Sequence, residues 1–200
     1  MSNLDRVLAT STYREFKSRP HSQYIASEFA LYQLASLLSA HKIQSVLEIG
    51  AGIGTITRFL LVHPARPRRI LSTENHPTCL SELEKNLSDV GKDGWSLVGG
   101  YDDIEPASTF DLVIFDGDVR FDRLSAIFKD GMWIFVEGSR KDTRTGLANS
   151  LRQKGLNIEF ENPRPGGKKF YFRKIRSLFG LPVPWLKKRK GCHIGRCSAT

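Results

Sequence analysis

Ser45-Val46-Leu47-Glu48-Ile49-Gly50-Ala51-Gly52-Ile53-Gly54-Thr55-Ile56-Thr57-Arg58-Phe59-Leu60-Leu61-Val62 decides how the rest of this 200-residue chain is read. Val46, Leu47 and Ile49 predict a short buried strand. Gly50, Gly52 and Gly54 follow at alternate positions, and Thr55 to Val62 predict the first turns of a helix stopped by Pro64. Glycines accept positive φ and let a ligand approach the backbone closely. The helix behind them presents free N–H groups and the positive end of its dipole. Without a ligand the same stretch would be a glycine-rich turn and nothing more.

The spacing narrows the ligand. A dinucleotide fingerprint reads G-x-G-x-x-G, whereas this turn is G-x-G-x-G with Glu48 two residues before the first glycine. A carboxylate there repels a pyrophosphate but suits a cation, an amine or hydroxyls. The stretch resembles motif I of the class I S-adenosylmethionine-dependent methyltransferases, strand-[ED]-x-G-x-G-x-G. That cofactor has a sulfonium, an ammonium, a carboxylate and a ribose, and no phosphate. The resemblance implies cofactor contacts from Glu48, Gly50, Gly52 and Gly54.

Composition allows one domain with a full core and room for a tail. Apolar residues make up 40% and charged residues 26%, which is an ordinary globular balance. No apolar run reaches membrane-spanning length, and Met1 to Arg19 lack the apolar centre of a signal peptide. Three cysteines, an odd number, fit a reducing compartment. The expected location is the cytoplasm. Of the net charge of +9, the stretch from Arg164 to Thr200 contributes 11 Lys and Arg with no Asp or Glu, while residues 1–163 hold 19 basic and 21 acidic side chains. A basic end of this kind suits an acidic partner, RNA or an anionic membrane surface, or simply serves solubility.

Three segments are expected: an N-terminal arm over 1–21, either a short helix or irregular and ending at Pro20, a domain over 22–175 and a basic C-terminal tail over 176–200. Within the domain, Ser22 predicts an N-cap for a helix running to about Ala40, with Ile25, Phe29, Tyr32, Leu34, Leu37 and Leu38 as its apolar stripe. His21 lies outside that stripe and reads as solvated. Ile70 to Thr73 predict the second strand, closed by Glu74. Pro77 opens a helix to about Asp89. Glu74 stands 20 residues beyond Gly54, where an acid can accept both hydroxyls of a ribose. Cys79 has no second cysteine near it and reads as a structural thiol. Trp95 to Val98 predict the third strand, and the resemblance assigns the following turn to the adenine, with Asp102 on its amine and Tyr101 stacking. Two solvated acids are the alternative.

Phe110 to Phe115 predict the fourth strand, apolar as a central parallel strand should be, and Met132 to Val136 the fifth, ending at Glu137-Gly138. A helix capped by Asp142 follows to Lys154. Two last strands are expected at Leu156 to Glu161 and Lys169 to Lys174. The fold class predicted is α/β, a doubly wound Rossmann-like sheet, mostly parallel, with a C-terminal antiparallel hairpin. Glu48, Glu74, Asp102 and Asp116 all fall at or near strand carboxyl ends, where such sheets bind ligands.

Phe110-Asp111…Asp116-Gly117-Asp118 also resembles the FD-x-x-x-x-DGDH-x-Y signature of one group of small-molecule methyltransferases. Val119 and Phe121 stand where that signature has His and Tyr, so its base is missing. The related catechol-type O-methyltransferases hold a divalent metal with an Asp after the fourth strand and an Asp-Asn pair after the fifth. Asp116 matches the first, and Glu137-Gly138 lacks the amide of the second. Asp116, Asp118 and Glu137 can supply oxygens to Mg²⁺; alternatively Asp116 orients substrate or takes a proton without metal. Cys192, His193 and Cys197 offer three metal-capable side chains where a structural zinc needs four, and a flexible terminus is the preferred reading. The function expected is methyl transfer from S-adenosylmethionine to a small molecule at oxygen, with Asp116 catalytic. The alternatives are an RNA acceptor held by the basic tail, and a binding protein without turnover.

Overall fold

Four consecutive buried apolar residues make β4 (Leu112–Phe115), and its neighbours on both sides determine the layering. A computed structural model of the protein describes residues 3–117, 120–137, 141–161 and 193–199. Among them, β1 (Ser45–Ile49), β2 (Arg69–Thr73), β3 (Trp95–Val98), β4, β5 (Trp133–Val136), β6 (Leu156–Glu161) and β7 (His193–Ala199) form one sheet in the order β3-β2-β1-β4-β5-β7-β6. The first five strands are mutually parallel. β7 runs antiparallel to both β5 and β6. The expected doubly wound, mostly parallel sheet with a terminal antiparallel hairpin is the one observed.

Side chains alternate between the two faces with period 2. Val46, Leu112, Ile114 and Phe135 enter the core layer that also holds α1 (Asn3–Lys17), α2 (Glu28–Ala40) and α3 (Thr55–Val62). Leu47, Ile49, Val113, Phe115, Ile134 and Val136 enter the opposite layer, with α5 (Phe121–Leu124) and α6 (Lys141–Arg152). α4 (Pro77–Asn86) completes the β2–β3 crossover, with Pro at its first turn. No helix among the described residues is long and apolar enough to cross a membrane.

Three expectations change. The helix α1, Asn3–Lys17, is not an arm apart from the domain: it packs on α2 and α3, and its Ala9 and Phe16 are fully buried. The helix expected from Ser22 begins later. His21 takes φ 60 and residues Ser22–Tyr24 spend themselves in a single tight turn, so Ser27 is the cap of α2, its Oγ accepting from the Ala30 N–H at 3.2 Å. Finally, residues 193–199 are not a free terminus. They form β7, inserted between β5 and β6. Ile194 packs into one core layer and Cys197 into the other, as alternation across a strand requires. Gly195 and Arg196 between them dilute the apolar pattern, which is why this strand is hard to read from sequence. Residues 162–192, including the strand expected at 169–174, lie outside the described set.

Candidate cofactor site

Three glycines make the turn between β1 and α3. Gly50, Gly52 and Gly54 have φ of 85°, 55° and 95°, all in the left-handed region. Each has a separate reason to lack a side chain. A Cβ on Gly50 would sit 2.8 Å from the Gly117 Cα, because the turn after β4 lies directly against it. A Cβ on Gly54 would sit 2.6 Å from Leu83 Cδ1 of α4. A Cβ on Gly52 would meet nothing within 4 Å, so the space above that residue is open. The turn is pinned from beneath by β2: Ala51 N–H donates to the Thr73 carbonyl at 2.9 Å and Gly50 N–H to Thr73 Oγ1 at 3.2 Å.

Glu74 stands at the rim of this open space. One carboxylate oxygen accepts from the Gly52 N–H at 2.8 Å, and the other from the N–H groups of Asn75 at 2.9 Å and His76 at 2.8 Å. Three backbone donors orient the group, and a carboxylate has lone pairs left for a hydroxyl. The expected juxtaposition of Glu74 with the glycine turn is therefore present.

Glu48 occupies a different level. Its strand parity matches Val46, so it faces α3 beneath the turn and is fully buried. Oε2 accepts from Thr57 Oγ1 and Ser72 Oγ, each at 2.6 Å, and Ser72 Oγ in turn accepts from Trp95 Nε1 at 3.0 Å. Oε1 is buried without a partner among the described residues. Burial pushes this carboxyl up to about 7, outweighing the hydrogen bonds that favour its charged form.

No protein-family model matches the sequence, and no curated protein matches it. Solved structures do match. One assigned as an RNA methyltransferase from Pyrococcus horikoshii is 16% identical with a TM-score of 0.61, covering 100% of this chain and 98% of its own. The precorrin-6y C5,15-methyltransferase of Geobacter metallireducens is 17% identical at TM-score 0.57, covering 90% and 96%. An O-methyltransferase of tomaymycin synthesis from Streptomyces achromogenes, solved with S-adenosylmethionine, is 15% identical at TM-score 0.58, covering 100% and 92%. The fold is that of the class I S-adenosylmethionine-dependent methyltransferases. At these identities the likeness is one of fold, and a fold hosts many chemistries.

In this methyltransferase fold the remaining predicted residues fall as follows. Asp116 ends β4 beside the turn, its N–H donating to the Ile49 carbonyl at 2.9 Å, and it is half-buried. Asp102 is exposed in a tight turn after β3 and pairs with Arg123 of α5 at 3.1 Å. Tyr101 beside it packs against the α5–α6 core layer. Glu137, after β5, accepts from the Ser27 N–H at 3.3 Å and so ties the start of α2 to the carboxyl end of the sheet. Asp118 and Gly138 lie outside the described residues. Among those described, no three metal-capable side chains cluster. Cys197 is buried, and its thiol is pushed up to about 12 by burial; Cys192 is outside the described set. Cys79 is a free thiol, also raised by burial. His21 is exposed.

One residue escaped the sequence reading. Asn86, the last residue of α4, is 1% exposed and donates from Nδ2 to the Ile53 carbonyl, inside the glycine turn, at 2.8 Å. No periodicity or motif marks it; an Asn at a helix end ordinarily reads as a terminator.

Proposed function

We propose that this protein is an S-adenosylmethionine-dependent methyltransferase acting on a small molecule, at oxygen. The observation that supports it most is the Glu74 carboxylate, oriented by three N–H groups at the rim of an open space floored by Gly52. That arrangement fits a ribose diol beside a close backbone approach, and the absence of a third glycine at dinucleotide spacing disfavours a pyrophosphate. When bound, S-adenosylmethionine supplies a methyl group on a sulfonium. The chain's own tasks are then to hold the ribose with Glu74, to admit the cofactor over Gly52, and to place an acceptor near Asp116. Asp102 serves the adenine amine in this reading, exchanging its exposed pairing with Arg123.

Asp116 takes a proton from the acceptor hydroxyl or orients it. A metal held by Asp116 is the competing role, with Glu137 as the second oxygen donor. Titration of the purified protein with S-adenosylmethionine and with NADH tests the cofactor. Saturable binding of the first alone is expected, and binding of NADH alone overturns the reading.

A second reading, RNA as the acceptor, is favoured by one feature. The chain leaves the sheet after Glu161, opposite Ile194, and re-enters at His193, opposite Val136 at the carboxyl end of β5. Both ends of the 162–192 connection thus lie at the edge where the parallel strands open onto the site. Its sequence has 10 Lys and Arg and no acid. Methyl-label transfer into cell extract fractionated into RNA and small metabolites decides between the two, with label in the metabolite fraction expected.

A further inference from the structure

Asn86 belongs to a closed circuit of polar contacts that joins α1, α3 and α4 outside the cofactor space. Its Oδ1 accepts from Arg19 Nη1 at 2.8 Å while its Nδ2 holds the Ile53 carbonyl at 2.8 Å. Only this orientation of the amide is consistent, since the reverse would set NH₂ against a guanidinium and oxygen against a carbonyl. Arg19 follows the end of α1 and pairs by Nη2 with Glu15. Glu15 also meets Arg58 Nε of α3 at 3.3 Å. Arg58 grips both Asp89 oxygens and donates to the backbone carbonyl of Asn86 at 3.1 Å, which closes the circuit.

We propose that α1 governs the cofactor affinity of the glycine turn, with Asn86 as the positioning residue that transmits it. The proposal rests on reading the turn as an S-adenosylmethionine site. Ile53 lies between Gly52 and Gly54, and all three glycine φ angles are positive, so the turn has more backbone freedom than other residue types would leave it. Against that freedom, the Ile53 carbonyl is held by a side chain that is itself held by Arg19. A turn already fixed in its binding geometry loses less conformational entropy when the ligand arrives. Linkage is reciprocal: if α1 docking favours cofactor, cofactor must favour α1 docking to the same degree.

The residue chemistry supplies a discriminating variant. Asn86→Asp keeps size and strengthens the partner for Arg19, yet replaces the Nδ2 donor by an oxygen facing the Ile53 carbonyl. It separates the turn contact from the α1 contact. Arg19→Gln does the opposite, leaving Nδ2 on Ile53 while removing the guanidinium.

Isothermal titration of wild type, Asn86→Asp and Arg19→Gln with S-adenosylmethionine tests this, alongside thermal unfolding and hydrogen exchange. Expected are a Kd raised about tenfold in Asn86→Asp, the worth of one hydrogen bond at a buried carbonyl. For Arg19→Gln the expected rise is about threefold, within the usual range of coupling through an intermediate residue. Cofactor should slow amide exchange over residues 15–19 in wild type and lose that effect in Asn86→Asp, a readout that general destabilisation would not erase. If wild type binds but both folded variants match its Kd, the positioning role is overturned and the cofactor site stands. If wild type shows no binding, the cofactor reading fails and this inference with it.

Discussion

Burial beneath α3 raises the Glu48 carboxyl from its ordinary 4.5 to about 7, against two donated hydroxyl bonds. Between about pH 4.5 and 7 the unfolded chain has released this proton while the folded chain retains it, so this group's contribution to stability falls as pH rises through that window and is flat above it. Glu48→Gln removes that component: urea unfolding at pH 5 and pH 8 should show a wild-type loss, relative to the variant, of about 2–3 kcal/mol, at roughly 1.4 kcal/mol per pH unit. Equal pH slopes in the two proteins would mean that the carboxyl titrates near its ordinary value. Glu74 stands on the rim, held by three backbone N–H groups. Glu74→Ala should weaken S-adenosylmethionine binding by about 1.5–3 kcal/mol, the range for hydrogen bonds to a charged group; a change below tenfold in Kd places it off the ribose. Asp116→Asn should remove most turnover and spare cofactor binding, and loss of wild-type activity in EDTA with recovery in Mg²⁺ would select the metal role over the proton-accepting one. At this scale Glu74 was legible because its distance from the glycines fixes it at the neighbouring strand's end. The environment of Glu48 was less so. Its position in the strand was plain, but its two hydroxyl partners come from α3 and β2 and carry no spacing signature.

The glycine turn, taken as an element, separates packing from ligand space. Gly50 faces Gly117 and Gly54 faces Leu83, whereas Gly52 faces nothing. Alanine at Gly50 should therefore fail twice, by collision with backbone and by strain at φ 85. A Cβ at Gly52 meets no neighbour, so alanine there bears the strain of the left-handed region, about 1–2 kcal/mol; valine bears more of it, and both should still fold. The expected contrast is soluble Gly52→Val with no detectable S-adenosylmethionine binding, against Gly50→Ala with a markedly lower Tm. Undiminished affinity in folded Gly52→Val would remove the cofactor from this turn. The turn and its flanking strand and helix could be read directly, because acid, glycines and apolar runs each demand the same geometry. The cap of α2 could not: Ser22 and Ser27 are chemically alike, and the left-handed His21 that separates them is a backbone fact with no residue type to announce it.

For the whole molecule, the order of β6 and β7 matters most. β7 lies between β5 and β6 in space but follows β6 in sequence by a 31-residue connection. The parallel half of the sheet was readable from five short strands, three of them, β2, β4 and β5, followed directly by an acid. In the antiparallel half β6 was readable at Leu156–Glu161, but β7 was not, since a strand written His-Ile-Gly-Arg-Cys-Ser-Ala has no alternation strong enough to locate it. Ile194→Asp buries a carboxylate in the α1–α3 core layer, and its expected outcome is insoluble protein or a large loss of Tm by circular dichroism. A soluble variant with wild-type Tm would show that the sheet does not depend on β7. That dependence also has a timetable. Bringing together the two ends of a 31-residue connection costs about 3 kcal/mol of chain entropy before any ladder bond repays it. A ribosome adds about 5–20 residues per second, so β5 waits with an open edge for roughly 2–8 s after β6 has been made. Unpaired edges recruit other chains. Soluble yield should therefore respond to translation speed over codons 162–199 more than to speed anywhere earlier.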